Sequence, residues 1–126
     1  MRRTFYIAGA QFHDLAKVIK DIKVGELLNL EPEPNNKYDP NAVKILHEDV
    51  FLGYVPKKFS AEVAGHLENE IYLECIVEEV DAKAKQWEMC LVTVKTVSIE
   101  DAEKRGMLDE YRDDMPPVTE DAEEED

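Results

Sequence analysis

Apolar residues recur along this chain at two spacings, every second residue and every third or fourth residue. The alternating spacing predicts six short β-strands, over residues 4–8, 26–30, 42–46, 50–55, 71–77 and 90–94. The helical spacing predicts a first short helix that stops before Gly25, from Leu15, Val18, Ile19 and Ile22. It predicts a second, with Ser60 as a candidate N-cap, from Phe59, Val63, Ala64 and Leu67. The pattern indicates a mainly β (α+β) fold with two short helices.

The connections between these segments favour one architecture. His47, Glu48 and Asp49 form a tight turn that makes residues 42–55 a β-hairpin, and Pro32 and Pro34 end the preceding strand. Repeated strand-helix-strand units are missing, which argues against a layered parallel sheet. We therefore predict a small six-stranded antiparallel barrel.

The length of 126 residues suits one compact domain. Neither a signal-peptide core nor an apolar run of about 20 residues is found, so we expect a cytoplasmic protein without a membrane partner. The formal net charge is −14, but residues 100–126 alone hold 13 acidic and 3 basic residues, a net of −10. We predict a domain over residues 1–99 and an acidic C-terminal tail over 100–126, helical from Ile99 to about Tyr111 and then disordered.

Several kinds of chemistry lack their usual sequence signals. The five glycines are isolated, so no glycine-rich loop can hold a nucleotide phosphate, and no cofactor is expected. Cys75 and Cys90 lie in alternating apolar segments and are interpreted as buried, reduced thiols rather than as redox groups. The histidines, which lack metal-ligand spacing, are His13, His47 and His66.

One catalytic alternative stays open. Asp39, Asp81 and Lys83 could form a metal-dependent nuclease site, in which carboxylates hold Mg²⁺ and the lysine supports an attacking water. However, Asp81 and Lys83 lie in a charged link between strands, where such residues usually only solvate a turn.

The segment EPNNKYDPNAV, over residues 33–43, is the most informative stretch. Its Pro-Asn-Asn and Asp-Pro-Asn groups are two turn signals that bracket Tyr38. An exposed Tyr38 beside Asp39 would suit stacking of a base and acceptance of a hydroxyl hydrogen bond. The alternative is structural, with Asp39 capping a turn and Tyr38 covering the end of the barrel.

Three ordered blocks carry a family resemblance. They are AGAQFH at residues 8–13, EPNNKYDPNAVKI at 33–45 and LGYVPK at 52–57. Together they resemble the HIRAN domain, a family found alone in bacteria and phages and at the start of helicase-like DNA-remodelling proteins. The resemblance, which spans roughly residues 4–80, implies an OB-like barrel of about six strands with two helices.

In the best-understood member of that family, the domain binds single-stranded DNA and captures its 3′-hydroxyl end. The resemblance implies that Tyr38 and Phe12 stack on bases and that Asp39 accepts a hydrogen bond from the end hydroxyl. It would place Tyr54 near the strand and Lys57 on backbone phosphate. That member has an arginine and two tyrosines where this chain has Gln11, Phe12 and His13, so one charge is lost and one stacking face is kept.

The sequence therefore leaves three hypotheses in order. The first is a non-catalytic module that binds single-stranded DNA or DNA ends, alone or beside a helicase or other DNA-processing protein. The second is a protein-interaction module with the same fold and no nucleic-acid ligand. The third is the metal-dependent nuclease.

Overall fold

The computed structural model describes residues 1–98 together with residues 100 and 101. It contains the six predicted strands: β1 (Arg2–Tyr6), β2 (Leu27–Pro32), β3 (Val43–His47), β4 (Val50–Tyr54), β5 (Leu73–Val80) and β6 (Cys90–Thr96). It also contains two α-helices, α1 (Leu15–Val18) and α2 (Lys57–Glu68). Three 3₁₀ turns are also present among the described residues, over Ala10–Phe12, Ile19–Asp21 and Gln86–Glu88.

The strands form one curled antiparallel sheet in the order β1-β6-β5-β2-β3-β4. Strand β2 makes the corner, because Leu27 and Leu28 pair with β5 while residues from Asn29 onward pair with β3. Such a change of neighbour bends the sheet into a half-barrel. The predicted mainly β architecture is therefore confirmed, and the hairpin of β3 and β4 closes at a turn in which Glu48 has φ 54°.

The core lies on the concave side of the sheet, as the alternating pattern requires. Its central members come from all parts of the sheet and include Phe5, Leu28, Ile45, Leu52, Val77 and Val94. Cys75 and Cys90 are buried free thiols within it, as interpreted from the sequence. Burial is the main reason that the pKa of Cys90 rises to about 12, so this thiol stays protonated.

Several predicted boundaries are wrong. Strand β1 runs over Arg2–Tyr6 rather than 4–8, and β2 continues to Pro32 instead of stopping before it. Pro32 is tolerated because it lies beyond the residues that pair with β5, so its missing N–H is not needed on that side. Strands β5 and β6 also extend further toward the C-terminus than the alternation alone indicated.

The predicted helices also need correction. The first is α-helical only over Leu15–Val18 and then tightens to 3₁₀, with the Ile22 N–H donating to the Ile19 carbonyl at 3.2 Å. The β-branched residues in this stretch are weak helix formers. Ser60 is not the N-cap of α2: Pro56 holds that position, and the Ser60 hydroxyl lies inside the first turn.

Of the predicted C-terminal segment, only residues 100 and 101 are described, and both are helical; the rest of the predicted acidic tail lies outside the described residues. Residues 1–96 form one compact unit. In the described part of the chain, no helix has the length and hydropathy needed to span a membrane.

The two edges of the half-barrel meet at a single bridge between Ala8 and Tyr54, whose backbones exchange hydrogen bonds of 2.9 and 2.8 Å. The adjacent Gly53 makes this approach possible. A Cβ atom on Gly53 would lie 2.5 Å from the Ala8 carbonyl oxygen and 2.6 Å from Ile7 Cγ2. Since real Cβ atoms do not approach backbone that closely, any side chain here would push the two edges apart.

We predict that Gly53→Ala lowers the free energy of unfolding by more than about 2 kcal/mol, because the methyl group would overlap the Ala8 carbonyl. Urea unfolding followed by circular dichroism measures this. The matched control is Gly65→Ala in α2, where an added Cβ meets nothing within 4 Å. That control should be neutral or stabilise by about 0.5–1 kcal/mol, and equal losses in both variants would contradict the closure argument.

Candidate nucleic-acid interface

The connection between β2 and β3 is a stiff double turn. The Asn36 Oδ1 atom accepts hydrogen bonds from the backbone N–H groups of Tyr38 and Asp39, at 2.8 and 3.0 Å. The Asp39 Oδ1 atom accepts one from the Asn41 N–H at 2.9 Å. These side-chain bonds to nearby backbone fix the loop without any regular secondary structure. Tyr38 is thus held firmly by its backbone while its side chain is 80% exposed, so it does not cover the end of the barrel.

Glu33, at the start of this loop, links it to the barrel. Its Oε1 atom accepts hydrogen bonds from Asn36 Nδ2 and from the Tyr54 hydroxyl, both at 2.7 Å. The Lys44 ammonium lies 3.9 Å from Oε2. The bond from Asn36, followed by that from Tyr54, holds the pKa of Glu33 below its usual value, so the carboxylate is ionised at neutral pH.

Tyr54 donates one of these hydrogen bonds to Glu33 and also belongs to an aromatic cluster, which we define as His13, Phe51 and Tyr54. Partial burial, and then the bond to Glu33, raise the pKa of Tyr54, so its hydroxyl remains a donor. The His13 and Phe51 rings stack with centroids 4.0 Å apart, and Tyr54 packs edge-on against Phe51 at 5.2 Å. Lys44 adds its ammonium 5.2 Å from the Phe51 centroid.

The residues just before His13 form the outer margin of this cluster. Gly9, with φ 69°, turns the chain after the Ala8 bridge and starts the 3₁₀ turn Ala10–Phe12. Gln11 and Phe12 both face solvent, and Phe12 is 77% exposed. A large aromatic ring left this open on a short, backbone-bonded turn is available to a ligand.

On the other side of the loop, Asp39 contacts the first turn of α2. The Ser60 hydroxyl lies 2.9 Å from both Asp39 Oδ2 and the Lys57 carbonyl oxygen, and its one proton can serve only one of them at a time. Lys57 is the first residue of α2, and its side chain is exposed. The helix start thus brings a cation to the same part of the surface as Asp39.

The basic residues near the start of α2 cluster around Phe59. The Lys58 ammonium and the Arg3 guanidinium lie 5.1 and 5.6 Å from the centre of its ring. Arg3 also binds Glu62 through two bonds, of 2.9 and 3.2 Å. The fold therefore brings Arg3 to the lysines of α2, which the sequence could only suggest.

The structure joins most of the residues that the sequence singled out. His13, Tyr54, Asp39 and the loop of Tyr38 belong to one chain of contacts, and Gln11, Phe12 and Lys57 lie beside it. Sequence reasoning missed five participants in that chain, namely Glu33, Asn36, Lys44, Phe51 and Ser60. Glu33 and Asn36 lie inside the loop motif EPNNKYDPNAV. Their hydrogen-bond network also requires Tyr54, which is distant in the sequence.

Asp39 and Asp81, the two carboxylates of the nuclease alternative, have separate partners in the described structure. Asp39 bonds Asn41 and Ser60, whereas Asp81 accepts the backbone N–H of Lys83 at the end of β5. Among the described residues, no group of three or more His, Cys, Asp or Glu side chains is arranged to hold a metal ion.

Comparison with known proteins decides the family. The sequence profile of the HIRAN domain matches residues 3–98, which is most of the chain. This chain belongs to the HIRAN domain family. HIRAN domains are in general non-catalytic DNA-binding modules. A search of curated proteins finds no match.

Two solved structures share the HIRAN fold of this chain. The HIRAN domain of human HLTF is 20% identical, with a TM-score of 0.62 over 82% of this chain and 81% of that one. A protein from Lactobacillus plantarum is 23% identical, with a TM-score of 0.60 over 73% of this chain and 91% of that one. The OB-like fold implied by the sequence blocks is therefore confirmed.

We predict that Tyr54→Phe lowers the free energy of unfolding by about 1 kcal/mol at neutral pH, because Glu33 loses one donor. Glu33 has a lowered folded-state pKa, so its contribution is present above its unfolded pKa and is lost as the pH falls through the folded value. The difference between the two proteins should therefore shrink in acid. Urea unfolding at neutral and acidic pH tests this.

The control is Tyr38→Phe, the same chemical change at a hydroxyl for which the described residues offer no hydrogen bond. It should leave the free energy of unfolding within about 0.5 kcal/mol of the parent at both pH values. A Tyr54→Phe protein as stable as this control would show that the bond to Glu33 contributes nothing.

Proposed function

We propose that this protein is a non-catalytic module that binds single-stranded DNA at its 3′ end and serves in DNA repair, replication or phage DNA processing. One observation carries the proposal: two exposed aromatic rings, Phe12 and Tyr38, flank a single aromatic and carboxylate network. Exposed aromatic faces on rigid turns are the usual means of holding unstacked bases. We expect the protein to act in the cytoplasm.

The two rings are assigned to successive bases. Tyr38 stacks on the terminal base, and Phe12, next to His13 of the cluster, takes a second. Each stacked base contributes about 1–3 kcal/mol, so two bases give useful affinity without strong electrostatic attraction. The packed rings of His13 and Tyr54 form the surface between the two bases, and the neutral amide of Gln11 can hydrogen-bond to the strand.

Asp39 is assigned to the terminal 3′-hydroxyl. An ionised carboxylate has about four lone-pair sites, and the bonds from the Asn41 N–H and the Ser60 hydroxyl occupy at most two of them. The remaining capacity can accept a hydroxyl proton. A terminal phosphate would instead be repelled by Asp39, so the pocket favours a free end.

Lys57 is assigned to the backbone phosphate on the 5′ side of the terminal nucleoside. It begins α2 one turn before Ser60, which contacts Asp39. Lys58 and Arg3 continue the positive charge around Phe59. Neutralising a few phosphates adds a salt-dependent increment to the stacking energy.

The domain we assign to residues 1–99 is then a DNA-end reader, and residues 100–126 form an acidic segment that keeps the protein soluble. A helicase or another DNA-processing protein is the expected partner on the same DNA, with no membrane involved.

Fluorescence anisotropy at low salt, using the full chain, tests end recognition directly. We predict that a single-stranded oligonucleotide with a free 3′-hydroxyl binds at least about tenfold more tightly than the same oligonucleotide with a 3′-phosphate. Asp39→Asn should reduce that ratio, because the amide keeps a loop acceptor and loses the charge. Asp49→Asn, in the β3–β4 turn, is the charge-matched control and should keep the ratio.

Equal affinity for the two oligonucleotides would remove the end-reading role while leaving single-strand binding in place. Failure to bind either one would instead favour the protein-interaction alternative.

We predict that Tyr38→Ala weakens single-strand binding by about 1–3 kcal/mol and leaves the unfolding curve unchanged, because its side chain is 80% exposed and its ring lies 5.1 Å from the exposed Lys37 ammonium rather than in the core. Ile71→Ala removes another exposed apolar side chain, 40% exposed and outside the interface, and should bind as the parent does. Unchanged affinity of Tyr38→Ala would contradict the stacking role.

A further inference from the structure

A second concave surface shares no lining residue with the nucleic-acid interface. It lies between the end of β1, the turn before β2, the end of β5 and the link that leads to β6, and encloses about 490 Å³. This volume is within the range of about 300–1,000 Å³ typical of ligand sites. We call it the acidic groove, after its wall of four carboxylates, Glu78, Glu79, Asp81 and Glu88.

A β-bulge brings two of these carboxylates to the same place. Successive strand residues normally point to opposite faces of a sheet, yet both Glu78 and Glu79 line the groove. The register between β5 and β6 shifts by one residue there, since Val77 pairs with Val92 and Glu79 with Leu91. A bulge of this kind redirects a side chain, and here it doubles the negative charge on one wall.

The charge of the wall is not balanced within the described part of the chain. No lining residue is basic, and none of the four carboxylates forms an ion pair with a described residue. Lys83 approaches Asp81 only through its backbone N–H, at 3.0 Å, and the Lys85 ammonium lies 5.6 Å from the Trp87 ring centre. The groove therefore stabilises a cation and repels phosphate.

Apolar surface completes the groove. Met89 is buried at its base, while Tyr6 and Val24 are 41% and 63% exposed at its edges. A long cationic side chain suits this combination, because its methylene stem covers apolar atoms while its charged end reaches the carboxylates. An arginine would also gain from lying over the face of Tyr6.

We propose that the acidic groove docks an arginine- or lysine-bearing segment of a partner protein. The charge complementarity of four unpaired carboxylates around an apolar base selects this occupant over a nucleic acid, whose phosphates would be repelled. The proposal does not depend on the function of the nucleic-acid interface, since the two surfaces use different residues.

The test uses the full chain and a fluorescein-labelled peptide of alternating arginine and leucine, followed by anisotropy at low salt. A second peptide with citrulline in place of arginine keeps the shape and removes the charge. The double variant Glu78→Gln with Glu79→Gln removes one wall, and Glu68→Gln with Glu70→Gln changes the net charge equally at exposed positions outside the groove.

We expect the arginine peptide to bind at least about fivefold more tightly than the citrulline peptide, and the groove variant to lose at least about fivefold in affinity. The control pair should stay within about twofold of the parent. Equal losses in both double variants would mean general attraction to an acidic protein, and no binding of the arginine peptide would mean no such site; either result overturns the proposal. So would self-association of the parent that the groove variant abolishes, because the occupant would then be a second copy.

Discussion

One backbone pair, Ala8 with Tyr54, holds both the barrel and the candidate interface in place. Its two hydrogen bonds join the edges of the sheet, and Gly53 is the residue that lets them meet. The Tyr54 side chain then donates to Glu33 and packs edge-on against the rings of both His13 and Phe51. Because the same residue closes the barrel and orders the loop, a change in closure would move the proposed stacking rings as well.

A strongly acidic protein in a DNA-binding family presents an electrostatic problem, and the local arrangement offers an answer. Glu33 has its charge stabilised by two neutral donors and by Lys44, so it is locked into the protein rather than presented to a strand. The exposed cations beside the interface are Lys37, whose ammonium lies 5.1 Å from the centre of the Tyr38 ring, and Lys57 and Lys58 at the start of α2. In the proposed mode, stacking and hydrogen bonding therefore supply most of the affinity, and phosphate contacts contribute a smaller share.

The sequence predicted those features that depend on local pattern. Alternation identified all six strands, and turn chemistry identified the hairpin and the loop around Tyr38. Alternation could not show where β1 starts or that β2 includes Pro32, since these depend on which neighbour each residue pairs with. The contacts of Glu33 with Tyr54 and of Asp39 with Ser60 each span 21 residues, a separation at which spacing rules carry no information.

The acidic groove also constrains how a strand could lie on the interface. The 3₁₀ turn Ala10–Phe12, which carries one stacking ring, contacts the 3₁₀ turn Gln86–Glu88, which carries one wall of the groove. A polyanion leaving Phe12 toward that wall would meet four carboxylates, whereas the start of α2 offers Lys57 and Lys58. In the proposed mode the 3′ end lies at Tyr38 and Asp39, beside the start of α2, and the strand is expected to leave Phe12 in a direction away from the acidic wall. A partner segment in the groove would then lie beside the DNA without competing for it.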